Sequence, residues 1–283
     1  MAWRLLTVSV PASLDDEIAS VLGAGSLGVE IVPAGAGLST VRVYLGDADD
    51  VDAWRERARR ILAAHGLTEA EAGLGLADVA DEAWVARWQA SLAPIPLGSR
   101  FVVLPHGDLT PEPGREPIRL IPGMAFGTGE HPTTRMCAAA LEELVAPRSR
   151  WLDLGCGTGI LAIVATHLGA GRVVALDLDP EAAHVADEVV RANALADRIH
   201  VGAGSIADAP GAFDGIVANI QASFFLAHAV ELAQALAPRG VLVLSGVLVE
   251  DLDEIEAALR PVGVEPLERR SDGPWGCLIG RKA

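Results

Sequence analysis

Residues 151–159 read Trp-Leu-Asp-Leu-Gly-Cys-Gly-Thr-Gly, an apolar stretch that runs into a glycine-rich turn. The apolar run Ile160–Leu168 follows, as expected for a buried helix. Gly155, Gly157 and Gly159 allow the backbone to turn sharply and to approach a ligand, and the start of the helix presents free amide groups. This strand, glycine loop and helix predict a pocket for a nucleotide-containing cofactor.

A second apolar strand, Arg172–Leu176, ends in Asp177, which lies 22 positions after Gly155. An acid at about this separation binds the ribose hydroxyls in dinucleotide-binding folds. In the dinucleotide fingerprint, however, the third glycine falls three residues after the second, whereas Gly157 and Gly159 are two residues apart. This spacing resembles the S-adenosylmethionine (SAM) loop of the seven-stranded methyltransferases, so we expect SAM rather than NAD.

The composition is that of an ordinary folded protein, because 51% of the 283 residues are hydrophobic and 21% are charged. This length accommodates two domains. The apolar run Val241–Val249 is shorter than the roughly 20 residues of a membrane-spanning helix, and Met1–Ser13 lacks the apolar segment of a secretory signal. Cys137, Cys156 and Cys277 are scattered, which predicts neither a disulfide framework nor a metal site. We therefore expect a cytoplasmic protein with no membrane association and no metal.

The net charge of −16 is spread along the chain, since residues 1–90 already carry 14 acids and 7 bases. A field of this sign disfavours direct binding to nucleic acid and attracts a basic protein. Acidity that serves only solubility is an equal alternative. The charge therefore argues against a nucleic-acid partner and is compatible with a basic protein.

The first part of the chain has the strand and helix order of a small α+β, ferredoxin-like module. The predicted elements are strand Leu5–Val10, helix Ser13–Leu22, strands Gly28–Val32 and Thr40–Tyr44, helix Asp49–His65, and an edge strand or loop at Gly66–Leu76. Trp84 and Trp88 follow on one face of a predicted helix that ends at a Pro- and Gly-rich hinge. We therefore expect an α+β domain at 1–78, a linker helix and hinge at 79–98, and a cofactor-binding domain at 99–283.

Strand and helix patterns keep alternating after the second strand of the cofactor-binding domain. The further predicted elements are strands Ile199–Ala203, Asp214–Asn219, Val241–Ser245, Val264–Arg269 and Cys277–Arg281, with helices Ala222–Leu236 and Glu250–Leu259. The fold class is therefore α/β, with a doubly wound, seven-stranded, Rossmann-like sheet. In such a sheet the ligand lies outside the carboxyl ends of the strands.

Residues 122–134 read Pro-Gly-Met-Ala-Phe-Gly-Thr-Gly-Glu-His-Pro-Thr-Thr and precede a predicted helix. A loop so rich in glycine and hydroxyl groups can fold over a ligand. We predict Thr133 or Thr134 as the helix N-cap. His131 is a candidate general base, but an exposed turn histidine is the favoured interpretation because Pro132 follows it.

Residues 124–134 and 152–162 together closely resemble the ribosomal protein L11 methyltransferase family, and the first motif is highly specific to it. The resemblance is strong from about residue 81 to the C-terminus. It implies a SAM-dependent enzyme that methylates lysine or N-terminal amines in a basic protein of the large ribosomal subunit. The α+β domain at 1–78 matches the family's substrate-recognition domain in length and layout only.

The resemblance also implies the residues of the site. Asp177 would accept the ribose hydroxyls of SAM, Gly155 would lie against its methionine part, and Thr134 would close over it from the lid. Asn219, at the carboxyl end of the fourth core strand, would hold the acceptor amine by hydrogen bonds. Ser205 is a candidate neighbour of the adenine, and no general base is assigned. The complete cofactor-binding set is Thr134, Gly155, Asp177, Asn219, Gly157 and Phe126.

The chain departs from the family pattern at two places. Gln221 stands where the family usually has leucine, and His106-Gly107 stands where it usually has an aromatic residue. These positions bear on the methyl acceptor more than on the cofactor. Two alternatives therefore stay open: SAM-dependent methylation of another protein or a small amine, and a ribosome-associated binding protein without turnover.

Overall fold

The computed structural model describes residues 3–23, 26, 28–46, 49–79, 93–105, 109, 114–120, 129–209 and 211–283. The chain divides into two units, one formed by residues 1–92 with 121–126 and the other by residues 93–120 with 127–283. Five of the residues singled out above lie outside the described residues: Trp84, Trp88, His106, Gly107 and Phe126. Among the described helices, none is both long and apolar enough to cross a membrane.

The first unit is a four-stranded antiparallel sheet with two helices packed on it. Its elements are β1 (Trp3–Pro11), α1 (Asp15–Gly23), β2 (Gly28–Gly35), β3 (Leu38–Leu45), α2 (Val51–Ala64) and β4 (Gly75–Val79). Leu6, Val8 and Val10 alternate along β1 and are buried against the helices, as the strand period of two requires. The strand order β2-β3-β1-β4 is that of a ferredoxin-like fold.

The second unit begins with a small sheet and a helix. Its strands are β5 (Ile95–Leu97), β6 (Phe101–Leu104) and β7 (Glu116–Arg119), and β6 pairs antiparallel with β5 and parallel with β7. The helix is α3 (Pro132–Leu144). The Glu142 carboxylate on α3 accepts hydrogen bonds from the backbone N–H groups of Ser99 and Arg100, which attaches the β5–β6 turn to the helix.

The main body of this unit is a seven-stranded sheet in the order β10-β9-β8-β11-β12-β14-β13. The five strands from β10 to β12 are parallel, and β14 and β13 are antiparallel additions. The bounds are β8 (Arg150–Leu154), α4 (Ile160–His167), β9 (Arg172–Asp177), α5 (Pro180–Ala192), β10 (Ile199–Ala203), β11 (Phe213–Asn219), α6 (Ala222–Ala227), α7 (Ala229–Ala235), β12 (Leu236–Leu248), α8 (Leu252–Leu259), β13 (Val264–Asp272) and β14 (Trp275–Lys282). The predicted doubly wound α/β fold is confirmed.

The strand order places a switch point between β8 and β11. The chain leaves β8 toward β9 on one side and leaves β11 toward β12 on the other. Ligands of doubly wound sheets bind in the crevice that opens where the direction reverses, outside the carboxyl ends of the strands. The glycine loop after β8 and Asn219 at the end of β11 therefore face the same crevice.

Two predicted boundaries in this unit are wrong. The single helix expected at Ala222–Leu236 is two helices, because His228 has φ −119° and ψ 22° and leaves the helical region. Strand β12 begins before the expected Val241, and its first residue, Leu236, already pairs with Phe213 of β11. The proline and glycine at 238 and 240 lie in an irregularity of the ladder, because regular pairing with β11 resumes only at Gly215 with Val241.

Candidate active site

The glycine loop is built from left-handed backbone that only glycine adopts at little cost. Gly155, Gly157 and Gly159 have φ values of 67°, 52° and 74°. The Gly155 N–H donates a hydrogen bond to the carbonyl oxygen of Leu176 at the end of β9, at 2.8 Å. A Cβ at Gly155 would lie 2.5 Å from Cγ2 of Ile220. The loop is thus held between the ends of β9 and β11 and has no room for a side chain at its first glycine.

Asp177 ends β9 with both carboxylate oxygens oriented by the backbone. Oδ2 accepts the Gly157 N–H at 2.9 Å, and Oδ1 accepts the Asp179 N–H at 3.0 Å. Each oxygen keeps lone-pair capacity for further donors, since a carboxylate accepts about four hydrogen bonds. The structure therefore brings Asp177 and Gly157, both predicted site residues, into direct contact.

Asn219 and Thr134 are also brought together. The Asn219 side-chain Nδ2 donates to the Thr134 hydroxyl at 3.2 Å, although the two residues are 85 positions apart. The Asn219 Oδ1 atom is buried and has no hydrogen-bond partner within the part of the chain that the structure describes. A buried acceptor of this kind is costly unless a ligand supplies the donor. Asn219 is therefore fixed by its amide nitrogen and leaves its oxygen available.

Gly246 lets strand β12 run close against the end of β11. Its φ is 83°, and a Cβ there would lie 2.8 Å from the backbone nitrogen and oxygen of Ile220. The neighbouring Ser245 carbonyl accepts the Ile220 N–H at 3.0 Å. Sequence reasoning did not assign Gly246 to the site, although an isolated glycine in a strand is a signal of close backbone approach. Gly246 thus fixes the position of the Asn219-Ile220 turn.

The N-cap of α3 differs from the one predicted. His131 is the N-cap, and its imidazole Nδ1 accepts the Thr133 N–H, while Thr133 and Thr134 lie inside the helix and are buried. The reason is Pro132, whose fixed φ and missing N–H suit the first helical position, so the cap falls at His131, two residues before Thr133. The His131 ring also packs edge-on against Trp275, with ring centres 4.7 Å apart. His131 is therefore partly buried and used in capping, not the exposed turn histidine favoured from sequence.

Two residues border the Asp177 side of the crevice. The Ser205 hydroxyl and backbone N–H both donate to the Asp208 carboxylate at 2.8 Å, which lowers the pKa of Asp208 and caps a short turn after β10. Leu178, directly after Asp177, is 68% exposed. An exposed leucine beside an oriented carboxylate offers an apolar surface and a polar anchor to one ligand. Sequence reasoning missed Leu178, and its only signal was an apolar residue next to the strand-end acid.

Asp153 lies buried beneath the glycine loop. Burial raises the pKa of its carboxyl from 3.8 to about 8, while the hydrogen bond from the Ala162 N–H, at 2.8 Å, opposes this rise and the charge of Asp177 adds to it. The carboxyl ties the last residues of β8 to the first turn of α4, so it supports the loop from below. The protonation state of Asp153 therefore affects the stability of the junction between β8 and α4 that supports the glycine loop.

We expect Asp153→Asn to flatten the pH dependence of stability in the ligand-free protein. Because the folded-state pKa lies above the unfolded value, the folded protein binds the extra proton between about pH 4 and pH 8. The free energy of unfolding should therefore fall as the pH rises through that window, by up to about 1.4 kcal/mol per pH unit. Urea unfolding of both proteins at several pH values measures the difference. Parallel curves for the two proteins would contradict the assignment.

We expect Gly155→Ala to weaken SAM binding strongly, because the new methyl group meets Ile220 and the backbone must keep a positive φ. Gly263→Ala is the matched control, since Gly263 has a φ of 82° and nothing within 4 Å of its ideal Cβ. Both variants should lose about 1–2 kcal/mol of stability through backbone strain. Calorimetry should detect lost SAM affinity in the Gly155 variant alone. Equal SAM affinities would mean that the space beside Ile220 is not needed for the cofactor.

The described residues fit a cofactor that carries both a sugar and an amino-acid part. The Asp177 carboxylate has free acceptor capacity for hydroxyl groups, and the Gly155 turn has no room for a side chain of its own. The buried Asn219 Oδ1 atom has no hydrogen-bond donor among the described residues and can accept one from a ligand. No group of three or more His, Cys, Asp or Glu side chains suited to a metal ion occurs among the described residues.

Comparisons with known proteins agree with this geometry. The family model for the ribosomal protein L11 methyltransferase (PrmA) matches residues 29–283. A ribosomal protein L11 methyltransferase of Pelobacter propionicus is 37% identical over 304 residues, covering 99% of this chain and 98% of that protein. One of Geobacter metallireducens is 34% identical over 293 residues, covering 98% of this chain and 97% of that protein.

A solved structure supports the same assignment. The ribosomal protein L11 methylase from Lactobacillus delbrueckii subsp. bulgaricus has 33% sequence identity and a TM-score of 0.61, and the match covers 68% of this chain and 100% of that chain. The match to the family model extends over most of the sequence, including every described residue of the crevice. This chain therefore belongs to the ribosomal protein L11 methyltransferase family and is a SAM-dependent protein methyltransferase.

Proposed function

We propose that this enzyme methylates lysine or N-terminal amines of ribosomal protein L11. The observation that carries the proposal is the Asn219 oxygen, which is buried, has no partner among the described residues, and lies at the switch-point crevice. An amine nitrogen is the donor that such an oxygen lacks. The names of the relatives, which match nearly the whole chain, support the choice of L11.

We propose that Asp177 holds the ribose hydroxyls of SAM and that Gly155 and Gly157 lie against its methionine part. Leu178 would cover the adenine with its exposed side chain. Thr134 would contribute through its contact with Asn219, and Phe126 would cover the ligand. When bound, SAM supplies an electrophilic methyl group on a sulfonium. The protein then needs to position a nucleophile in line and to exclude water.

The acceptor amine must be neutral to act as a nucleophile. A lysine ammonium has an ordinary pKa near 10.4, and a less polar pocket lowers it. The Asn219 oxygen accepts one N–H of the neutral amine and so orients the nitrogen lone pair away from itself. No general base is assigned, and His131 Nδ1 is engaged in capping α3. Positioning by Asn219 is therefore the main contribution that we ascribe to this chain.

We propose that residues 1–78 dock the ribosomal protein and that residues 99–283 carry out methyl transfer, joined by the linker at 79–98. The acidic balance of residues 1–90, with 14 acids and 7 bases, supports attraction of a basic protein rather than of nucleic acid. A ribosomal substrate would place the enzyme in the cytoplasm. Deleting residues 1–78 should leave SAM binding and abolish L11 methylation. Methylation by the truncated protein at the full-length rate would refute the docking role.

Intact-mass analysis of purified large-subunit ribosomal proteins, incubated with the enzyme and SAM, tests the proposed function. Successive additions of one CH2 unit to L11 alone would establish both the reaction and the acceptor. Additions to a different protein would keep the reaction and replace the acceptor. If no protein gains mass while calorimetry still detects SAM binding, ribosomal proteins are excluded as substrates.

A further inference from the structure

A cavity of about 430 Å³ opens in the second unit beside the start of α3. Pockets that bind small ligands commonly have volumes of roughly 300–1,000 Å³. Its lining comes from the edge strand β5 with the residues just before it and from the N-terminal end of α3: Ala93, Pro94, Ile95, Pro96, Glu130 and Arg135. This cavity has no role in the function described so far.

One wall of the cavity is apolar and poor in hydrogen-bond donors. It consists of Pro94, Ile95 and Pro96, and the two prolines have no backbone N–H. Ile95 and Pro96 belong to β5, an edge of the three-stranded sheet, and no described strand pairs with the outer side of β5. Proline on an edge strand also discourages pairing with a further strand. This wall therefore suits an aliphatic chain, and its backbone offers carbonyl acceptors but few donors.

The other wall carries one uncompensated negative charge. Arg135 donates to the Glu130 carbonyl at 2.9 Å and to the Asp272 carboxylate at 2.8 Å, so Asp272 balances its charge. The Glu130 carboxylate is exposed and makes no hydrogen bond or ion pair with any residue that the structure describes. Among the described residues, Glu130 is therefore the lining group that offers an unpaired charge to a ligand, and that charge is negative.

The cavity lies at the same end of α3 as the acceptor side of the crevice. Glu130 lies directly before His131, the N-cap of α3, and Thr134 lies in the first turn of that helix. Thr134 in turn accepts the hydrogen bond that fixes Asn219. A group bound beside Glu130 would thus belong to a part of the substrate close to the amine held by Asn219.

We propose that this cavity binds a lysine or arginine side chain of the substrate protein that flanks the amine to be methylated. The Glu130 carboxylate pairs with its positive charge, and its aliphatic stem lies along Pro94, Ile95 and Pro96. This inference rests on the proposed function, since it assumes a basic protein as acceptor. It adds a determinant of substrate choice that is separate from the docking domain.

Reversal of the charge at Glu130 tests the proposal. Glu130→Lys should raise the KM for purified ribosomal protein L11 roughly fivefold or more, leaving kcat and the Kd for SAM within twofold of wild type. Glu130→Gln, which keeps the shape, should raise KM less and should weaken the dependence of KM on salt concentration. The matched control is Asp197→Lys, because Asp197 is exposed and precedes β10, at the opposite end of the sheet from the crevice.

The outcomes separate this inference from the function on which it rests. A selective rise in KM for the Glu130 variants supports the proposal. Equal KM values for Glu130→Lys, Asp197→Lys and wild type, with normal methylation, would overturn the proposal and leave the proposed function standing. An enzyme that binds SAM but transfers no methyl group to L11 even as wild type would overturn the proposed function, and this inference with it.

Discussion

Asn219→Ala is expected to lower kcat for L11 methylation by about 100-fold while the protein stays folded. The reason is that the Asn219 side-chain nitrogen is fixed on Thr134, while its buried oxygen, which has no partner among the described residues, would hold the acceptor amine. Loss of one positioned group in an active site, or a shift of about 1 Å in a reactant, commonly costs about this factor. Single-turnover rates at saturating SAM measure it, and calorimetry reports the accompanying change in SAM affinity.

Asn193→Ala provides the matched control, since it makes the same substitution in the same unit. The Asn193 side chain accepts the Arg119 N–H at 2.9 Å and donates to the Arg119 carbonyl at 2.8 Å, so it joins α5 to β7. Its loss should lower the free energy of unfolding by roughly 1–3 kcal/mol and leave kcat unchanged well below the melting temperature. If the two variants lost activity equally, the effect would be structural. An Asn219 variant with wild-type kcat would contradict the positioning role.

The parts of the site that could be predicted from sequence are the ones that local backbone chemistry determines. Three glycines with positive φ and an acid at the end of the next strand leave a pattern that can be read directly. The family resemblance, which rests on the glycine loop together with residues 124–134, is confirmed. The surroundings of Asn219 could not be predicted in this way. They depend on Thr134 and Gly246, which reach Asn219 only through tertiary packing of α3 and β12.

Competition between local preferences explains the errors of detail. Threonine is a better N-cap than histidine in general, yet Pro132 fixes the first turn of α3 and makes His131 the cap.

The ferredoxin-like order of the first unit was predicted from the succession of elements, but its final strand could not be distinguished from a loop. β4 has only five residues and becomes a strand by pairing with β1. Pairing of this kind is not visible in the local sequence.

Asp177→Ala is expected to weaken SAM binding by at least about 100-fold. A hydrogen bond to a charged acceptor contributes roughly 1.5–3 kcal/mol, and two ribose hydroxyls would share this carboxylate. The substitution also removes the acceptor of the Gly157 N–H, so the glycine loop loses an anchor at the same time. Isothermal titration calorimetry with SAM measures the combined loss.

Two further variants separate charge from geometry at this position. Asp179→Ala removes a carboxylate two residues away that caps α5 by accepting the Glu181 N–H at 2.9 Å. It should cost about 1 kcal/mol of stability and leave SAM affinity intact. Asp177→Asn keeps one oxygen acceptor but loses the charge. An affinity for SAM between those of wild type and Asp177→Ala would therefore show that the charge and the remaining acceptor each contribute to binding. If Asp177→Ala instead bound SAM as tightly as Asp179→Ala, the ribose hydroxyls would have to be held by another residue, and the carboxylate would serve only to anchor the loop through Gly157.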